Sequence, residues 1–196
     1  MRSWMIKLCI VGSACLFANA AYAGWQDRAS QFDQQRLSRI DEARSKALSQ
    51  ARGGGDMAAI ESAMRPSPMR ASAGDLVGNW RCRTLKLGGV TPSRVYDWFR
   101  CRISRAHGRL YLEKLTGSQY TNGYLYPDRG GFVYLGASSV IGEPRHQYSG
   151  SGIEAGAPGT PDDQIGMFYY LGRGHARLEM PYPLLESTMD VLELRR

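Results

Sequence analysis

From Asp75 to the end, the chain is written in short runs of aromatic and β-branched residues separated by Gly, Pro, Asn and Asp. This texture predicts strands over 77–86, 94–104, 109–116, 119–126, 131–136, 165–171, 175–181 and 188–194. Short strands at regular spacing with turn residues between them, and no alternation with helices, describe an antiparallel barrel or sandwich. About 120 residues suffice for one hydrophobic core. The stretch YSGSGIEAGAPGTPDD (148–163) has neither a helical nor a strand period and reads as a mobile loop.

In a strand, successive side chains point to opposite faces. In GNWRCRTLKLGG (78–89), Trp80, Cys82 and Thr84 share one face, and Arg81, Arg83 and Leu85 the other. In RVYDWFRCRIS (94–104), Val95, Asp97, Phe99, Cys101 and Ile103 share a face, opposite Tyr96, Trp98, Arg100 and Arg102. If Cys82 bonds Cys101, then Trp80, Phe99, Ile103 and the disulfide form a core wall. Arg81, Arg83, Arg100 and Arg102 then crowd together on the other side. Like charges facing each other weaken a sheet, so the four arginines are expected to find Glu113 or Asp97, to splay apart, or to bind an anionic ligand.

The first 23 residues decide how those cysteines are read. Arg2 and Lys7 begin the chain, an apolar run follows from Leu8 to Ala18, and Ala21-Tyr22-Ala23 offers small residues for cleavage. This is the three-part pattern of a secretory signal peptide, and the apolar run is too short for a membrane span. Cleavage after Ala23 removes Cys9 and Cys15; a lipid anchor at Cys15 is the alternative. Two cysteines, Cys82 and Cys101, remain in an oxidising compartment, which reads as one disulfide. A metal site is the rival reading, and His107, His146 and His175 all lie far from short ligand spacing to a cysteine. The expected location is the periplasm or the medium.

The full chain carries +7, of which Arg2 and Lys7 leave with the signal. Beyond residue 23 the only lysines are Lys46, Lys86 and Lys114; the other cations are arginines, whose planar fork suits carboxylates and phosphates. There is no long basic run and no nucleic-acid motif, so nucleic acid is not an expected partner.

Ahead of the strands, Trp25 to Arg52 reads as one amphipathic helix, with Trp25, Ala29, Phe32, Ile40, Ala43, Ala47 and Ala51 on its apolar stripe. Gly53-Gly54-Gly55 stops it, and Asp56 is placed to cap a second helix running to Met64. The expected organisation is a signal over 1–23, a helical hairpin over 24–65, a linker over 66–74 and a barrel over 75–196. The fold class is α+β.

Three family resemblances bear on this reading. Gly78-Asn79-Trp80 resembles the Gly-x-Trp signature of lipocalin-like barrels. That resemblance implies Gly78 and Trp80 at a plugged end, beneath an arginine from late in the chain, Arg195 or Arg177. DLVGNW is also similar to the openings of small secreted protease inhibitors built on eight-stranded barrels. A broader resemblance rests on LVGNWRCRTLKLGG, Y-x-W-F-R-C-R-I, LEKLTGSQYTNGYLYP, VYLG and DVLELR. These are similar to a family of secreted proteobacterial proteins known as domain of unknown function 4893. It implies Cys82 and Cys101 as a pair and Gly78 to Lys114 as the family's core, and brings no activity.

Catalytic motifs are scarce. No Gly-x-Ser-x-Gly elbow, Ser-x-x-Lys, phosphate loop or dinucleotide fingerprint occurs. Ser118 has no histidine nearby in sequence, and His107 and His175 sit beside glycines in what read as exposed turns. Glu113, Glu179 and Glu186 could pair for glycoside chemistry, but their spacing singles none out. The expectation is a non-enzymatic binding protein of the bacterial envelope, without cofactor or metal, taking a small anionic ligand on Arg81, Arg83, Arg100 and Arg102. The alternatives are an inhibitor or accessory protein that binds another envelope protein, and a glycan hydrolase.

Overall fold

The computed structural model describes residues 24–150 and 160–196. The expected signal peptide, the cleavage site and Cys15 lie outside the described residues, as does 151–159 of the expected loop. Four helices, α1 (Gln31–Ser38), α2 (Ile40–Ala51), α3 (Met57–Met64) and α4 (Ala73–Leu76), precede nine strands. The strands are β1 (Gly78–Leu87), β2 (Ser93–Val95), β3 (Phe99–Ala106), β4 (Arg109–Lys114), β5 (Gln119–Asp128), β6 (Gly131–Val140), β7 (Asp163–Gly172), β8 (His175–Pro181) and β9 (Met189–Arg195).

Every neighbouring pair is antiparallel, and β1 pairs with β9 from Arg81↔Arg195 to Leu87↔Met189. That pairing closes eight strands into a barrel, with β2 attached to the far end of β1. An eight-stranded barrel has an interior just wide enough to be filled by side chains or to hold one small ligand. Here its lower half is filled. Trp80, the Cys82–Cys101 disulfide, Ile103, Leu112, Leu125, Tyr134, Phe168, Leu178 and Leu194 form one buried cluster, with Phe99 packed against it. The cysteines' Cα atoms are 5.8 Å apart, and Cys101 stands opposite Trp80 on the ladder.

Gly136 makes room in that interior. A Cβ there would meet the Tyr134 hydroxyl at 2.1 Å. Tyr134 donates to Gln164 Oε1 at 3.3 Å, and burial pushes its phenol well above the ordinary range.

The outer wall is covered on two sides. Ala43, Ala47 and Ala51 recur every fourth residue along α2, and these small side chains let the helix lie close on Leu85, Leu87, Met189 and Val191. Ile60 and Ala63 of α3 join the same cluster. Leu37 of α1 and Ala29 cover Tyr126, Val133, Leu135 and Ile165. All seven residues of β8 are therefore buried, inward ones by the barrel and outward ones by helix.

The helix expected over 25–52 is broken. It begins only at Gln31, where Ser30 accepts from the Asp33 N–H, and it stops at Arg39 before α2 resumes. The two pieces cover different parts of a curved wall, which one straight rod cannot follow; Ile40 beside the break touches both clusters. Asp56 does not use its side chain as a cap. Its carboxylate accepts from the Val95 N–H at 3.2 Å and ties the helices to β2.

The strand expected over 94–104 is also interrupted. Tyr96-Asp97-Trp98 separates β2 from β3 and shifts the alternation, so Val95 packs outside with the helices while Phe99 packs inside. The loop expected over 148–163 is tied down at its start. Tyr148 donates to Asp33, and the Ser149 N–H donates to Asp163 at 2.8 Å.

Candidate functional site

The two ends of the barrel differ. At the lower end the strands are joined by tight turns at His107-Gly108, Arg129-Gly130 and Arg173-Gly174, four of whose residues hold φ between 48° and 75°. Helix α4 closes this end. Its Leu76 is fully buried, and Trp80 Nε1 donates to the Leu76 carbonyl at 2.8 Å. The arginine over Trp80 is neither Arg195 nor Arg177. It is Arg196, 4.2 Å from the ring centre, and it also donates to the carbonyls of Leu76 and Val77. Gly78, at φ 139°, lies beneath that guanidinium. Arg195 and Arg177 point outward to Glu193 and Glu179.

At the upper end the interior remains open. A cavity of about 180 Å³ is lined by residues of seven strands, including Thr84, Lys86, Lys114, Thr121, Gln164 and Asp190. Its apolar part is made by Met180 and Leu192. The loop between β8 and β9 borders it through Pro183, Leu184, Leu185 and Glu186. That loop is held at the rim. Lys86 pairs with Glu186, the Val90 N–H donates to the Glu186 carbonyl at 2.9 Å, and Ser187 donates to Asp190.

Two groups stand out within the cavity. Lys114 is 5 % exposed. Its ammonium donates to the Gln119 carbonyl at 2.8 Å and lies 4.4 Å from the centre of the Phe99 ring. Burial lowers its affinity for the proton. Asp190 faces the cavity from β9, opposite Lys86 on β1. Burial pushes its carboxyl up to about 6, against the Ser187 hydroxyl and the Lys86 charge, which favour ionisation, while Glu186 adds to the rise. Among the described residues neither Lys114 nor Asp190 has a salt-bridge partner.

Asp163 is buried as well; it accepts from the Ser149 N–H, and burial raises its carboxyl above the ordinary range. The remaining buried charges are paired. Glu193 is fully buried on the outer wall, where burial alone would raise its pKa. Contacts from His175, Arg83 and Arg195 outweigh that and hold it down to about 2. Glu179 bonds Arg44 and Arg177, and Arg177 donates onward to the carbonyls of Ala63, Met64 and Pro66 at the end of α3. Asp33 and Arg36 pair at the edge of the cavity.

The four arginines named from the sequence lie on the outer face, away from this cavity. Arg81 stands directly opposite Arg100. Arg83 bonds Glu193 at 2.7 Å, and Arg102 bonds Glu113 at 2.9 Å. Trp98 lies between Arg81 and Arg83, whose guanidinium carbons are 5.3 and 4.6 Å from its ring centre. The structure brings the four together on one wall and neutralises two.

His175 is not an exposed turn residue. It is buried in β8 with Nε2 3.1 Å from Glu193. The three glutamates are dispersed: Glu113 on the outer wall of β4, Glu179 beneath α2 and Glu186 on the rim. Asp162 bonds both Ser138 and His146, so the carboxylate stands between the hydroxyl and the imidazole.

The sequence reading missed Lys114 and Asp190, although strand alternation places them. Lys114 is in phase with Leu110 and Leu112, and Asp190 with Leu192 and Leu194.

The sequence profile described as Domain of unknown function (DUF4893) matches residues 25–194, covering helices and barrel alike. The chain belongs to this family. In this DUF4893 chain the matched residues include Trp80, Cys82, Cys101, Lys114 and Asp190. No curated protein matches the chain. Among the described residues no helix is long and apolar enough to cross a membrane, and no group of three or more His, Cys, Asp or Glu is placed to hold a metal ion.

Proposed function

We propose that this protein is an exported, non-enzymatic binding protein of the bacterial envelope whose barrel cavity takes a small anionic ligand. The observation that carries the reading is Lys114, a buried ammonium on the cavity wall whose only polar contact among the described residues is a carbonyl. An ammonium removed from water without a counter-ion is costly. A carboxylate or phosphate in the cavity compensates it with charge-assisted hydrogen bonds. At about 180 Å³ the cavity is smaller than the roughly 300–1,000 Å³ of sites for drug-sized ligands. It has the volume of about six waters, so the ligand is small. Export is supported by the leader-like residues 1–23 and by the Cys82–Cys101 disulfide.

A second reading, an inhibitor or accessory protein that binds another envelope protein, is supported by the apolar side chains exposed around the same rim: Val90, Val140, Ile141 and Leu185. Native mass spectrometry of protein purified gently from its own envelope tests both. A small excess mass that is lost on activation and absent from Lys114→Met supports the cavity reading. A co-purifying polypeptide supports the second. A bare protein mass in every preparation counts against both.

A further inference from the structure

We propose that the ligand of the barrel cavity is a small zwitterion of the amino-acid type, its carboxylate on Lys114 and its ammonium on Asp190. The inference rests on the cavity reading above and specifies the ligand's second pole. Around the cavity Lys86 is matched by Glu186 and Arg36 by Asp33. Of the other lining carboxylates, Asp163 accepts from the Ser149 N–H and Asp162 bonds Ser138 and His146. Among the described residues that leaves Lys114 and Asp190 as the lining charges held by neither an ion pair nor a neighbouring loop beyond the Gln119 carbonyl and the Ser187 hydroxyl. A simple anion would satisfy Lys114 and leave Asp190 facing a second negative charge in a confined space. A simple amine would do the converse. A molecule with both charges and no net charge compensates both walls at once.

The spacing agrees. Lys114 is on β4 and Asp190 on β9, with β1 and β3 between them in the wall. At about 4.8 Å per strand, that arc is roughly 14 Å between backbones. One long and one short side chain reach inward across it, leaving a gap on the scale of a small molecule's two charged ends. Met180 and Leu192 border the same space and would receive an apolar side chain.

Asp190 has Lys86 beside it on β1, Glu186 and Ser187 on the β8–β9 loop, and Lys114 on the cavity wall beyond. A ligand ammonium would shift its proton equilibrium downward, so zwitterion binding carries a pH dependence that anion binding through Lys114 does not share.

The test is calorimetric titration of the oxidised, ligand-free protein with three probes of one shape: L-leucine, its deaminated analogue isocaproate and its decarboxylated analogue isoamylamine. Leucine is expected to bind at least about tenfold more tightly than either analogue, since each lost charge-assisted hydrogen bond is worth about that factor or more. Its affinity is expected to weaken below about pH 6. Asp190→Asn is expected to bring leucine down to the level of isocaproate and to flatten the pH profile. Isocaproate binding as tightly as leucine overturns the zwitterion and leaves the anionic reading standing. Isoamylamine binding best overturns both. Failure of all three to bind overturns the zwitterion, and the native mass measurement then judges the cavity reading separately. The comparison among probes uses the unaltered protein, so a misfolded variant does not blunt it.

Discussion

The guanidinium of Arg196 lies 4.2 Å from the centre of the Trp80 ring and holds the carbonyls of Leu76 and Val77. Arg196 thus helps to seal the barrel end opposite the cavity. Trp80→Ala is expected to cost about 3–5 kcal/mol, the usual range for truncating a buried aromatic. Arg196→Ala, at an exposed position, is expected to cost about 1 kcal/mol. Urea denaturation of the two variants checks the ratio, and equal losses would count against this arrangement.

The disulfide closes a loop of sequence separation 19 inside the barrel. In the chain-entropy picture it contributes about 3 kcal/mol. The Cys82→Ala, Cys101→Ala double variant should unfold earlier in urea by that amount, and reductant should have no further effect on it.

Acid should reveal two opposed carboxylates. Asp190 is held up to about 6 when folded, so the native state takes its proton more readily than the unfolded chain does. Its ionisation costs stability at neutral pH, and that cost is relieved as pH falls from about 6 toward its unfolded value near 4. Glu193 is held down to about 2. Its contribution is fully present above its unfolded value near 4.3 and is lost as pH falls toward about 2. Stability measured against pH should therefore rise gently on acidification to about 4.5 and then fall. Burial raises Asp163 too, which adds to the rise, so Asp190→Asn should reduce the rise and leave the fall.

Glu179 is fully buried between α2 and the barrel and bonds both Arg44 and Arg177. Glu179→Ala leaves the buried Arg177 without a carboxylate, while Arg44 keeps Asp41, and is expected to cost about 3 kcal/mol. Hydrogen exchange should show α2 and the end of α3 opening before the strands do. Uniform loss of protection would mean that helices and barrel unfold as one.

Arg81 and Arg100 face each other, and among the described residues neither has a salt bridge. Arg81→Glu converts a repulsive cross-strand pair into an attractive one and should stabilise the protein by about 0.5 kcal/mol. If the ligand sits in the barrel, this variant binds it unchanged. If the outer arginines are the site, binding falls steeply.

The strands were legible because each carries its own signal. Alternation along β1 and β3 put Trp80, Cys82, Cys101 and Ile103 on one side and Arg81, Arg83, Arg100 and Arg102 on the other, as the buried cluster and the outward arginines show. Less was legible where alternation slips. Nothing local in Tyr96-Asp97-Trp98 marks the shift that sends Val95 outward. The break at Arg39 answers to the curvature of a wall built from strands later in the chain, from β1 to β9.

What the sequence determined by itself is the class of elements and the side each residue takes, because side-chain alternation and turn geometry act over a few residues. Only the tertiary structure decided which residues meet. Closure of β1 on β9 turns two faces into an inside and an outside. It sets Lys114 and Asp190 on one cavity, gives Trp80 to Arg196 rather than to Arg195, and buries His175 against Glu193. These contacts join strands far apart in the chain, and no local propensity encodes a distance across a barrel.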